Sequence, residues 1–167
     1  MITESERLFL REIEQVDGEF ILELLNDPAW LRFIGDRNLH NLADAHEFIR
    51  TRFEPAYREH GIGLWLMVEK ATGSSIGICG LVNRAGMNDI DLGYALLPQY
   101  RGQGYAFEAA NASLQYGYDH LGLSRIVAMT APQNTSSCGL LERLGFQYER
   151  RVILPGEQEE LLLYAKV

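Results

Sequence analysis

Pro98-Gln-Tyr-Arg-Gly-Gln-Gly-Tyr-Ala106 joins two segments of different hydrophobic period. Before it, residues 90–97 read as a strand; after it, Ala106, Phe107, Ala110, Leu114, Gly117, Tyr118 and Leu121 recur at helical spacing and predict a helix over about residues 103–120. The join is a strand-to-helix turn carrying Gly102 and Gly104. Glycines there let the backbone come close to a ligand, while the first amides of the helix have no internal partners and sit at the positive end of its dipole. Such a turn is an anion cradle, phosphate is its natural occupant, and Arg101 is a candidate for a charge-assisted contact. No Lys-Ser/Thr follows, as a Walker A loop requires, and the third glycine and downstream acid of a dinucleotide fingerprint are missing.

Working upstream, residues 64–69, 75–82 and 90–97 read as three strands, the first two joined by a turn at Ala71-Thr-Gly-Ser74. Ile76-Gly-Ile-Cys-Gly-Leu-Val82 is apolar on both faces and predicts a central strand covered on both sides. Residues 7–13 read as an opening strand. Asp17 is a candidate cap for a helix carrying Phe20, Leu24 and Leu25 that stops at Asn26-Asp27-Pro28, and residues 43–60 predict one longer helix ended by Gly61. Downstream, residues 125–130 predict a strand and residues 135–144 a helix closed by Gly145. Residues 146–154 and 161–167 predict an antiparallel hairpin turning at Pro155-Gly156. The order β-α-α-β-β-β-α-β-α-β-β, without repeats or a linker, predicts one α+β domain over residues 1–167 with a central, mostly antiparallel sheet.

The 167 residues hold 47% hydrophobic positions and a formal charge of −8, which argues for a packed core and against phosphate-tracking nucleic-acid binding. The acidity is concentrated at the start: residues 1–27 carry 8 acids and 2 bases, whereas residues 99–146, which include the glycine loop, carry 3 of each. An anion meets least repulsion in that neutral stretch. Cys79 and Cys138 form no paired motif and the four histidines show no metal-ligand spacing, so no metal is expected. With no signal-like start and no long apolar run, a cytoplasmic protein without membrane partners is expected.

Gln99-Tyr-Arg-Gly102-Gln-Gly104 has the form Gln/Arg-x-x-Gly-x-Gly/Ala and resembles the acyl-CoA pyrophosphate loop of the GNAT superfamily of N-acyltransferases. Asp91-Leu-Gly-Tyr-Ala-Leu-Leu97 resembles the strand entering that loop. Asn134-Thr-Ser-Ser137 followed by Leu141-Glu-Arg-Leu-Gly-Phe146 resembles the family's Asn-x-x-Ser segment. Arg7-Leu-Phe-Leu-Arg11 resembles the first strand of the branch that includes ribosomal-protein-alanine N-acetyltransferases.

The resemblance implies a three-layer fold, with helices on both faces of a sheet that splays at the acyl-CoA site. It implies that the amides of Gly102, Gln103, Gly104, Tyr105 and Ala106 hold the pyrophosphate of acetyl-CoA, and that Ala95, Leu96 and Leu97 offer backbone groups to the pantetheine arm, which lies like an added strand. Gln99 and Arg101 belong to the same loop. Asn134 would contact the arm and Ser137 would donate to the departing thiolate; both also suit a plain helix cap and first turn. The implied reaction is direct attack of an amine in a ternary complex, governed by proximity and electrostatics. Cys138 reads as a small packed residue, not a nucleophile.

For the base, Asp91 on the incoming strand and Glu157 or Glu159 in the last hairpin are alternatives, and each also reads as an ordinary surface charge. Tyr94 is a candidate acid or cleft residue. The acceptor is expected between the early helices and the final hairpin, with Trp30, Phe33 and Ile34 as an apolar wall and Asp36, Asn83 and Arg84 as polar contacts. A peptide N-terminus and a small-molecule amine remain open as acceptors, as do a monomer and a homodimer. The functional alternative is a non-catalytic acyl-CoA-binding or sensor module.

Overall fold

The computed structural model describes residues 1–167. Its strands are β1 (Thr3–Glu4), β2 (Leu8–Glu12), β3 (Leu64–Glu69), β4 (Ser75–Val82), β5 (Ile90–Leu96), β6 (Ile126–Thr130), β7 (Gln147–Val152) and β8 (Leu161–Lys166). They form one sheet in the order β1-β2-β3-β4-β5-β6-β8-β7. Every pairing is antiparallel except β5 with β6. The helices are α1 (Gly18–Leu25), α2 (Pro28–Phe33), α3 (Leu42–Phe48), α4 (Glu54–His60), α5 (Tyr105–Asp119) and α6 (Thr135–Arg143).

Alternation along the strands divides two cores. Leu8, Leu10, Trp65, Met67, Cys79, Leu81 and Leu92 meet α5 and α6 through Ala109, Ala110, Leu114, Leu140 and Leu141. Leu66, Val68 and Ile78 point the other way, to Ile21, Leu24, Leu25, Ile49 and Phe53 of the early helices. Ile76 and Ile78, two apart, fall in different cores because the β3–β4 register slips at Ile76, where Met67 faces Gly77 and Val68 faces Ser75. Burial on both sides of β4 is the three-layer arrangement expected of its apolar run.

Four expectations change in detail. The single helix over residues 43–60 is interrupted by a π-helical turn, Ile49–Phe53, in which the Glu54 N–H reaches back five residues to Ile49 O. Pro55 follows at once, lacks an N–H and crowds the preceding turn, so the ladder widens there. Pro28 does more than end α1: it opens α2, with Asp27 accepting from Ala29 N at 3.1 Å as the cap. Asp17 makes no cap bond to α1; it accepts from Glu14 N at 2.8 Å and pairs with both terminal nitrogens of Arg11. On α5 the buried stripe is Tyr105, Ala109, Ala110, Ser113, Leu114 and Gly117, leaving Phe107 and Leu121 exposed.

The parallel β5–β6 pair opens a gap in the sheet. Only Ile90 with Ile126 and Asp91 with Val127 are in register, and beyond them the two strands carry no pairing. Both strands continue past the split, β5 to Leu96 and β6 to Thr130, so a wedge-shaped opening lies between the start of α5 and the start of α6.

Candidate active site

A cleft of about 660 Å³ occupies this wedge. Its floor is Tyr94, Ala95 and Leu96 of β5; one wall is Gly102, Gly104, Tyr105, Ala106 and Phe107; the opposite wall is Asn134, Thr135, Ser136, Ser137, Gly139, Leu140 and Arg143. Leu24, Asp27, Ala29, Trp30, Phe33 and Ile34 close a third side.

The glycine turn has the backbone needed for an anion. Gly102 and Gly104 have φ of 74° and 85°, and Gly104 is the N-cap residue just before α5. An added Cβ at Gly102 would meet nothing within 4 Å, so glycine is required there by its left-handed backbone, not by lack of space. The first amide bonded into α5 is Glu108 N, to Gly104 O at 3.1 Å, and none of the amides of residues 102–106 donates within the protein. The run of free donors at a helix start is the property that a diphosphate group would use.

Backbone alternation selects which floor residues face the gap. Leu97 donates its N–H to Ile76 O at 3.0 Å and accepts from Tyr100 N at 3.1 Å, so both its main-chain groups are engaged. Ala95, opposite Ile78, also turns its main chain to β4, which leaves Tyr94 and Leu96 turned toward the gap. The resemblance placed Leu97 among the backbone partners of the arm; those groups are spent inside the protein, and its side chain is buried.

Arg101 lines the same cleft, and its guanidinium is already engaged within the protein. Its Nη2 donates to Asp27 Oδ2 at 2.7 Å and to Leu96 O at 2.9 Å, tying the loop to the cap of α2 and to the cleft floor. Gln99 and Gln103 are exposed outside the cleft, joined by a bond from Gln103 Nε2 to Gln99 O at 2.9 Å.

On the α6 side, Asn134 Oδ1 accepts from Ser137 N at 3.2 Å, the capping role. The Ser137 hydroxyl lies 2.6 Å from the Tyr94 hydroxyl, a pairing of two residues expected separately. Burial pushes the Tyr94 phenol up to about 12 despite that hydrogen bond, so it stays protonated at neutral pH.

The carboxylate candidates lie elsewhere. Asp91 is 2% exposed, pairs with Arg84 Nε at 2.9 Å, and does not line the cleft. Burial raises it to about 6 and Arg84 offsets only part of that. Glu157 and Glu159 are exposed in the β7–β8 turn, whose Pro155 packs against Gly86 of the β4–β5 loop. Asn83, with its amide 3.4 Å from His60 Nδ1, and Arg84 also belong to that loop, away from the cleft, and Asp36 is exposed and caps Asn38 N at 2.7 Å. Trp30 is buried, Phe33 half-buried and Ile34 exposed, all three lining the cleft.

Sequence reading missed Leu24, Asp27, Ala29, Leu140, Phe107, Thr135, Ser136, Gly139 and Arg143 as lining residues. A signal existed for the last four, which share a helical face with Leu140. Phe107 had none, since its spacing fits the apolar stripe. Its ring instead lies 5.7 Å from the Arg143 guanidinium across the cleft mouth.

The fold, this cleft and the comparisons with known proteins together identify an acetyltransferase. The acetyltransferase (GNAT) domain family matches residues 7–147, and the chain belongs to it. The chain is 32% identical over 149 residues to the uncharacterized N-acetyltransferase YoaA of Bacillus subtilis, covering 89% of this chain and 84% of that protein. It is 36% identical over 76 residues to the ribosomal protein uS5-alanine N-acetyltransferase of Escherichia coli, covering 44% of this chain and 39% of that protein. A GNAT-family acetyltransferase from Bacillus anthracis superimposes with a TM-score of 0.82 at 26% identity, covering 99% of this chain and 97% of that one. Members of the family use an acyl-CoA and an amine acceptor. No helix is long and apolar enough to cross a membrane.

Proposed function

We propose that the protein is an acetyl-CoA-dependent N-acetyltransferase that moves an acetyl group to a primary amine, a peptide N-terminus or a small molecule, by direct attack within a ternary complex. The observation that carries this reading is the run of free amides at residues 102–106 beside the gap left where β5 and β6 part. The two features match the two halves of the donor, a diphosphate and an amide-rich arm. Acetyl-CoA, when bound, supplies an acetyl group already activated as a thioester.

The chain's own residues then have distinct tasks. The amides of residues 102–106 hold the diphosphate, Tyr94 presents its main-chain groups and Leu96 its N–H to the arm while Arg101 holds the Leu96 carbonyl, and the Asn134 side-chain Nδ2 is free to join them. Ser137, oriented by the Tyr94 hydroxyl, donates to the sulfur as it leaves; Tyr94, still protonated, supplies the hydrogen bond behind it. Trp30, Phe33 and Ile34 shield the acceptor from water. Proton removal from the amine falls to Asp91 or the Glu157 region through water, since neither carboxylate lines the cleft.

The test is thiol release from acetyl-CoA with N-terminal peptides, amino acids, polyamines and aminoglycosides as acceptors. Turnover of at least one amine class, saturable in acetyl-CoA, is expected. Saturable binding with no turnover on any amine would make the protein a sensor and defeat the catalytic reading.

A further inference from the structure

We infer that Arg7 is a positioning residue that holds the peptide between Gln103 and Gly104 in the orientation needed for diphosphate binding; this rests on the acetyl-CoA reading above. Arg7 stands outside the cleft, in a groove of about 550 Å³ on the far side of the loop, and Gly104 lines both spaces. The loop backbone is therefore a thin partition with Arg7 behind it.

The contacts define a clamp. Arg7 Nη2 donates to Gln103 O at 3.0 Å, and Nε donates to Glu108 Oε2 at 2.8 Å. The guanidinium lies 4.1 Å from the centre of the Tyr105 ring. Glu108 is itself fixed by Ser5 Oγ and by the Arg7 backbone N–H, each at 2.6 Å. One planar group thus touches a loop carbonyl, the first ring of α5 and an acid in its first turn.

The consequence follows from peptide geometry. In a planar trans peptide the C=O and the following N–H point in opposite directions. Pinning Gln103 O toward the outer groove therefore turns the Gly104 N–H to the cleft side. A restraint is needed because Gly104, at φ 85°, has no Cβ to resist rotation of that peptide. An unclamped loop could turn its carbonyl toward the anion and lose a donor while gaining a repulsive oxygen. A planar fork meets this demand in a way that a single ammonium does not.

Arg7 makes a small contribution to stability by comparison. Its side chain is 41% exposed, and the backbone N–H that binds Glu108 survives any side-chain change except to proline. The variants Arg7→Met and Arg7→Lys are accordingly expected to fold, which thermal unfolding checks directly.

The experiment measures dissociation constants of both variants for acetyl-CoA by calorimetry and for S-acetylpantetheine, which lacks the diphosphate, by NMR titration. Arg7→Met is expected to weaken acetyl-CoA binding by about tenfold, the scale of one charge-assisted hydrogen bond, with S-acetylpantetheine affinity unchanged. Arg7→Lys is expected to keep most of that defect. Equal acetyl-CoA affinity in wild type and Arg7→Met overturns the clamp, as does an equal loss for both ligands or full recovery with Lys. Failure of the wild-type protein to bind acetyl-CoA overturns the parent reading instead, and the clamp with it.

Discussion

The two sides of the cleft are built by different means. On the side proposed for the donor, residues 102–106 and the gap beside β5 offer main-chain groups, and side chains matter mainly where they permit or fix a backbone conformation. On the side proposed for the acceptor, Trp30, Phe33 and Ile34 of the α2 region offer side chains, beside the tie from Arg101 to Asp27. A surface made of backbone can be shared by many sequences that bind one donor, while a surface made of side chains can change with the acceptor.

The largest effect is expected where the backbone cannot be replaced. Gly104→Glu puts a side chain on a residue at φ 85° and a negative charge at the anion cradle. We expect acetyl-CoA affinity to fall by at least about 100-fold, from combined strain and repulsion. Calorimetry checks this, and undiminished affinity would remove the cradle from the donor side.

Ser137→Ala comes next. Losing the donor to the departing sulfur should lower kcat about 10- to 100-fold with the KM for acetyl-CoA nearly unchanged, measured by thiol release. Tyr94→Phe should do less, because Ser137 keeps its own hydroxyl. A Ser137→Ala enzyme with full kcat would leave only the capping contact of this turn, which its backbone N–H makes.

A smaller and opposite signature is expected from Phe33→Ala. The ring is half-buried at the cleft, so truncation should raise the acceptor KM by about tenfold through lost apolar contact, with acetyl-CoA affinity unchanged. An effect on acetyl-CoA instead would mean that the two sides do not divide as described.

The same division explains what could be read from the chain. The glycine turn was legible because Gly102 and Gly104 sit between a period-two and a period-3.6 segment, a local pattern that specifies backbone conformation. Asn134 and Ser137 were legible for the same reason, as a cap and its first turn. Seven of the eight strands were legible, most from alternation and the covered β4 from an unbroken apolar run, whereas the two-residue β1 carries no such pattern. Leu97 misled because family position says nothing of which way a main chain turns; only pairing with Ile76 settles that. The tie from Arg101 to Asp27 was not legible because the two residues are far apart in sequence. Asn83, Arg84 and Glu157, expected at the site, lie away from the cleft; their position depends on where two loops pack, and no periodicity encodes that placement.

The smallest expected change distinguishes the two roles open to Asp91. Burial lifts this carboxyl from its ordinary 3.8 to about 6. Between those values the folded protein holds a proton that the unfolded chain has released, so stability falls as pH rises from about 4 to about 6 and levels off above. Asp91→Asn should abolish that decline, seen in denaturant unfolding across pH. At pH 7 it should change stability by only about 1 kcal/mol, because losing the Arg84 pair is offset by removing a buried charge. The rate profile separates structure from catalysis. A base of this kind gives thiol release that rises through about pH 6, and Asp91→Asn would erase that limb. If the limb stays in the Asn variant, Asp91 only joins β5 to the Arg84 loop, and the base must come from the acceptor side, where side chains are free to vary.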